Sequence, residues 1–440
     1  MPEEKQPKKA AARAPGKTVP AGGRTASPAG RTAPTAGSSA PVPEKRTDVS
    51  AADASAYYEK ISGRFRAAKY LFLALLVVYL VVMLASYGDS ITYANLKYLM
   101  KDFGTSAEGE PGDFSELYFE KQQNMNFTLF RGSLAVFGSS RLTVASPGAD
   151  SGIDFLLDAA APVVLPSDKY LLYFDLGSKQ YGLYTALANV YSGTAEHEIT
   201  GGAIGRGGTF ALITRSSKAK YQLTLWDASF RQLGVYYPTG TDDYIFDAAI
   251  SDGGDRLVIV TASVGLSSFQ TRVLLAVPGE NAYRADVGLP GEMPLRAAFF
   301  PDGHFCVVCD RNVYFFDENA ERLAAVPATG LNLSAVSKSG IVLVSSGNVV
   351  ESENDVTLLD TSGKTVASVR LAMRLKDAAL SDDGVCYLLG TDSVYRLLPD
   401  GTLGAETCSG STLRLLAGKD YVLLCRPTGV ATSFAEGGKE

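Results

Sequence analysis

The feature that most constrains this chain is a short phrase that keeps returning. An apolar strand ends in a Gly- or Asp-rich turn and a second apolar strand follows. The clearest copies are AISDGGDRLVIV from Ala249, AFFPDGHFCVV from Ala298, AVSKSGIVLV from Ala335 and ALSDDGVCYLL from Ala379. Looser copies begin at Val163, Ala203 and Leu415. A third strand then runs into Asp227, Asp317, Asp360 or Asp400, where a carboxylate can accept backbone N–H groups of the next turn. The turn positions Gly208, Gly254, Gly303, Gly340 and Gly384 lie 46, 49, 37 and 44 residues apart. Four strands at that period describe a β-propeller blade. One such sheet cannot bury both faces alone, whereas sheets stacked around an axis bury one another.

This reading makes residues 114–434 an all-β propeller with units starting near 127, 161, 203, 247, 297, 334, 378 and 413. Eight blades are expected, with seven the alternative if two N-terminal units merge. The last unit holds three strands, and Glu116–Glu120 (ELYFE) is a strand without a partner ahead of the first unit. Pairing the two would complete the last blade and leave no bare edge.

Charge is distributed unevenly ahead of the repeats. Residues 1–69 carry 13 basic and 6 acidic side chains, residues 88–440 carry 28 and 41, and Tyr70–Tyr87 carries none. Those 18 residues would rise about 27 Å as a helix, close to the hydrocarbon thickness of a bilayer. Lys60, Arg64, Arg66 and Lys69 precede the run and Asp89 follows it. The bias expects an uncleaved signal anchor with the N-terminus cytoplasmic and the C-terminal domain extracytoplasmic. Residues 1–56, rich in Ala, Pro, Gly, Ser and Thr, read as a disordered basic tail. Residues 57–69 read as a juxtamembrane helix, 88–113 as a neck helix and acidic linker, and 435–440 as a disordered tail.

The order of basic tail, single span, ITYANLKYLMKDF neck from Ile91 and Tyr/Phe-rich repeats resembles a Clostridia-like bacterial family of membrane-anchored propeller proteins, curated as a domain of unknown function. The blades are similar in style to quinoprotein-like and WD-type repeats, although Trp226-Asp227 is the one WD dipeptide. The resemblance implies a fold and a location, and no reaction.

The chemistry-bearing residues are sparse. Two histidines, His197 and His304, give no HExxH pair, since Gly201 stands four residues after His197. Cys306-Val-Val-Cys309 is a CxxC inside an apolar strand, where positions three apart point to opposite faces. Asp242-Asp243 are adjacent loop acids, and no GxSxG elbow or phosphate loop occurs. The expectation is therefore no catalytic, metal or cofactor site. The overall acidity argues against nucleic acid as a partner. Tyr236, Tyr237 and Tyr244 are expected on loops lining a propeller face, where exposed aromatics favour a protein or glycan partner. The expected partners are thus the lipid bilayer, through residues 70–87, and a protein or glycan at that face. The favoured reading is a membrane-anchored, non-catalytic binding or scaffolding platform for envelope proteins or cell-wall polymers. The alternatives are a hydrolase or dehydrogenase with its site in the central channel, or a transmembrane sensor signalling to the basic tail. Polar side chains converging from several blades on one channel mouth would favour the enzyme.

Overall fold

The computed structural model describes residues 68–79, 82, 114, 117–148, 152–264, 269–280, 282–289, 291–346 and 353–434. The tail over 1–56, the neck and linker over 88–113, the closing residues 435–440 and most of 57–69 lie outside them, as do residues 80, 81 and 83–87 of the expected span. Residues 68–79 form a helix whose apolar side chains, from Tyr70 through Tyr79, are exposed on every face. Among the described residues no helix is long and apolar enough to cross a membrane.

Among the described residues, 31 strands form eight antiparallel sheets, each built from consecutive strands. Blade one spans Asn126–Leu156, blade two Pro162–Thr194, blade three Ile199–Tyr236 and blade four Tyr244–Leu289. Blade five spans Pro294–Pro327, blade six Leu331–Leu371, blade seven Asp377–Thr407 and blade eight Arg414–Ser433. The core is divided in the same way, with one apolar cluster at each of the eight junctions between neighbouring blades. Blade eight packs on blade one as well as on blade seven, so the ring is closed.

Position in the blade sets the sequence pattern. A second strand is covered on both faces, so Leu257–Val264 is nearly all apolar. Its Leu257 and Ile259 pack toward blade three, and its Val258 and Val260 toward blade five. A fourth strand shows one face to water, and Tyr283–Leu289 alternates accordingly. The turns behave as read from the sequence. Gly254 and Gly384 adopt φ of 71° and 87°, a conformation costly for a residue with a Cβ. Asp317 Oδ1 accepts the N–H groups of Asn319 at 2.9 Å and Glu321 at 2.8 Å, and Asp227 and Asp360 repeat the arrangement.

The seam departs from expectation. Blade eight has three strands, and the segment ahead of blade one adds a single bridge, Tyr118 with Gly429, rather than a fourth strand. The Phe119 N–H reaches the Thr428 carbonyl at 3.5 Å, while the Leu117 N–H turns back to the Phe114 carbonyl at 3.0 Å. The reason lies in the side chains. Phe114 and Leu117 both enter the cluster between blades eight and one with Leu423, Cys425 and Val430. A straight strand would send residues three apart to opposite faces. The turn brings both inward, so closure is achieved by packing more than by a ladder.

Candidate binding recess in the channel

First strands surround the axis of a propeller, and those of blades two to five line a recess of about 340 Å³. Much of its wall is alanine and glycine, which leaves room for the larger groups contributed by blades three, four and five: Arg206, Asp247, Asp252, Arg296 and Phe299. Asp247 and Arg296 occupy corresponding places, five residues ahead of Asp252 and Pro301 in their turns. Each follows an irregularity in the ladder, between Ile245 and Asp247 in blade four and between Pro294 and Arg296 in blade five. Bulges of this kind re-aim the side chains beside them.

Asp247 is half-buried, and its Oδ2 accepts the Ala297 N–H at 2.8 Å, joining blade four to blade five. Burial pushes its carboxyl up to about 6, opposed by the Ala297 and Ala248 N–H groups and by the Arg296 charge. Arg296 is exposed to the recess and, among the described residues, has neither a hydrogen bond nor an ion pair. The other charges are matched. Arg206 Nε lies 3.2 Å from Asp252 Oδ1, across the junction of blades three and four. Burial also raises the Asp252 carboxyl, against the pull of Arg206. At the corresponding turns of blades six and seven, Lys338 Nζ lies 2.5 Å from Asp382 Oδ2.

The three tyrosines do not stay together. Tyr236 ends the fourth strand of blade three (Gln232–Tyr236), is 7% exposed and lies in the core between blades three and four. Its hydroxyl donates to the Val277 carbonyl at 3.3 Å. It is not a loop residue, because it pairs with Leu223 in the ladder of blade three. Tyr237 is half-buried, and its carbonyl accepts the Tyr283 hydroxyl. Tyr244 opens the first strand of blade four; Lys220 Nζ donates to its hydroxyl at 2.6 Å, and the Tyr221 ring centroid is 5.4 Å away. Lys218 Nζ stands 5.9 Å from the Tyr237 ring centroid. Tyr237 and Tyr244 therefore each meet a lysine, Lys218 and Lys220 respectively, that precedes the third strand of blade three, and Tyr236 lies in the core.

Cys306 and Cys309 face opposite junctions, blade six and blade four respectively, and burial pushes both thiols up to about 12. All five cysteines are free. Asp243 is buried and its Oδ2 accepts the Gly240 N–H at 3.1 Å, while Asp242 is exposed. His304 Nδ1 lies 3.1 Å from Asp302 Oδ2, and His197 Nε2 lies 3.9 Å from Glu196 Oε1. Among the described residues no three His, Cys, Asp or Glu side chains converge as a metal site.

The sequence reading passed over Asp247, Arg296, Arg206 and Asp252, although a signal was present. Asp247-Ala-Ala-Ile-Ser-Asp252 recurs as Asp377-Ala-Ala-Leu-Ser-Asp382. A charged residue in an otherwise small and apolar first strand of a propeller repeat has the channel as its natural outlet.

A family model described as a family of unknown function, DUF5711, matches residues 156–398. No curated protein matches the chain in sequence. Among solved structures, Chaetomium thermophilum Sqt1, determined bound to the N-terminus of ribosomal protein L10, is 15% identical with a TM-score of 0.48. That match covers 73% of this chain and 100% of the other. The Neurospora crassa Pan2 WD40 domain is 10% identical with a TM-score of 0.42, covering 75% and 91%. BamB from Moraxella catarrhalis is 13% identical with a TM-score of 0.33, covering 61% and 95%.

Proposed function

The chain belongs to DUF5711, a family of unknown function, and from its own geometry we propose that it is a non-catalytic binding platform. Its propeller is displayed outside a cell membrane by the apolar segment at 70–87. The observation that carries the binding role is a closed ring whose channel gathers unlike charges from three adjacent blades and leaves one of them, Arg296, unengaged. The apolar helix at 68–79, exposed all round, and the basic flank before it support the tether and its orientation. The lysine–tyrosine contacts at Tyr237 and Tyr244 supply a second surface suited to protein or glycan.

Protease treatment of intact cells tests the display. Digestion of the propeller from outside, with residues 1–69 protected, is the expected result; a protected propeller overturns the reading. Crosslinking in the membrane then identifies the neighbours.

One observation favours a second reading, a channel enzyme. Asp247 titrates near 6 in a recess where polar groups from several blades meet, as a general acid or base would. In that case an Asp247→Asn protein would bind its ligand and fail to transform it.

A further inference from the structure

The recess between blades two and five has a chemical character narrower than that of a general platform. Arg296 presents a planar fork of five N–H donors with no hydrogen-bond or ion-pair partner among the described residues, in a wall that includes Gly202 and five alanines. Such a fork matches a carboxylate in a bidentate manner. Beside it, Asp247 is held in place by the Ala297 N–H. A carboxylate has about four lone-pair sites, so it can still accept from hydroxyl groups. Phe299 lies on the same strand, half-buried in the lining, and its ring is fixed against Phe305 with centroids 5.3 Å apart. An aromatic ring and a carboxylate in the wall of one recess suit a ligand ring with C–H groups on one side and hydroxyls at its rim. The nearby Arg206–Asp252 pair is mutually satisfied and adds no free charge. The volume of about 340 Å³ lies at the lower end of the range for small-molecule sites and suits one sugar ring.

We propose that this recess binds an acidic sugar of the hexuronate class, its carboxylate on Arg296, its hydroxyls on Asp247 and its ring against Phe299. The proposal rests on the platform reading, since the sugar is bound and not transformed. Each group selects something different. A neutral hexose leaves the Arg296 fork empty, a simple carboxylate leaves Asp247 and Phe299 unused, and an amino acid satisfies both charges without the aromatic face.

The test is calorimetric titration of the full chain in detergent near pH 7 with glucuronate, glucose, acetate and alanine. Glucuronate is expected to bind in the millimolar range or tighter, and about tenfold or more tighter than the other three. Arg296→Ala is expected to remove that preference, making glucuronate and glucose equivalent, with a nearly unchanged melting temperature because the side chain has no hydrogen bond or ion pair among the described residues. Asp247→Asn is expected to weaken glucuronate while leaving acetate unchanged. Arg414→Ala, at another junction of the ring, is the control that leaves glucuronate binding intact. Absence of glucuronate binding at millimolar concentration, binding that survives Arg296→Ala, or alanine binding as tightly as glucuronate each overturns the proposal. None of these results alters protease accessibility or crosslinked neighbours, so the platform reading stands or falls separately.

Discussion

Two junctions of the ring are built from the same sequence device and end up with different freedom. Between blades four and five, Asp247 accepts the Ala297 N–H at 2.8 Å. Between blades seven and eight, Asp377 accepts the Leu415 N–H at 2.7 Å. In each case the residue just before the donor is an arginine, Arg296 or Arg414. At the second junction that arginine is committed, because Arg414 Nη1 donates to Asn126 Oδ1 of blade one at 3.0 Å. At the first it is not. Blade six offers Leu333 where blade one offers Asn126, so no side-chain oxygen is available to the next blade in that position. The ladder is also irregular ahead of Asp247 and Arg296, and regular from Asp377 onward. The comparison separates two jobs in one motif: the aspartate joins blades, and the arginine is structural only where a neighbour accepts it.

The comparison breaks most directly at the aspartates. Asp247→Ala and Asp377→Ala each orphan an inter-blade N–H, and each is expected to cost about 1–3 kcal/mol in denaturant unfolding. Equal losses support equal structural roles; a loss at one junction alone refutes the equivalence.

A smaller effect comes from pH. Both carboxyls are raised by burial, Asp247 to about 6, with Arg296 as the charged group facing it from blade five and Arg414 facing Asp377 from blade eight. Folded forms with raised carboxyl values bind protons more readily than unfolded ones. For Asp247 the contribution is therefore fully present below about pH 4 and lost as pH rises through about 6, and for Asp377 the sign is the same. Asp247→Asn keeps the acceptor for Ala297 and removes the titration. It is expected to flatten the stability profile between pH 4 and 7 by roughly 1–2 kcal/mol relative to the parent, less than the full shift implies because the channel admits water. An unchanged profile would show that Asp247 is ordinary.

The smallest effect is at the arginines. Arg414→Ala is expected to lower stability by up to about 1 kcal/mol, and Arg296→Ala by less than half of that. Thermal melts of the two proteins decide it, and the reverse order contradicts the assignment of free and committed partners.

Much of the ring was legible in the sequence because the turn glycines punctuate it. First strands begin at 126, 162, 199, 244, 294, 331, 377 and 414, each within a few residues of the unit starts read from the repeats. The aspartates at the next turn were legible for a similar reason, since their hydrogen bonds are local. Contacts between blades were harder to read. Tyr236 has the composition of a loop aromatic and the position of a core one, because what covers it comes from blade four. Arg296 and Asp247 looked like isolated charges in apolar strands until the axis brought them together. The bulges that aim them leave no mark on periodicity. At the seam, Glu116–Glu120 read as a strand, and Leu117 instead joins Phe114 in the cluster between blades eight and one, with its N–H on the Phe114 carbonyl.

That seam has a mechanical consequence. The polypeptide arrives from its amino-terminal side at Phe114, Leu117 and Tyr118, the residues that clasp blade eight to blade one. Any tension passed along the chain from that side is therefore delivered first to the clasp, where the Tyr118–Gly429 bridge, the Phe119–Thr428 hydrogen bond and the buried Phe114 and Leu117 bear it. Blade one also meets blade eight directly, through Phe127 and Leu134 against Leu423 and through Asn126 with Arg414, so a tug that peels the clasp leaves the circle held by those contacts.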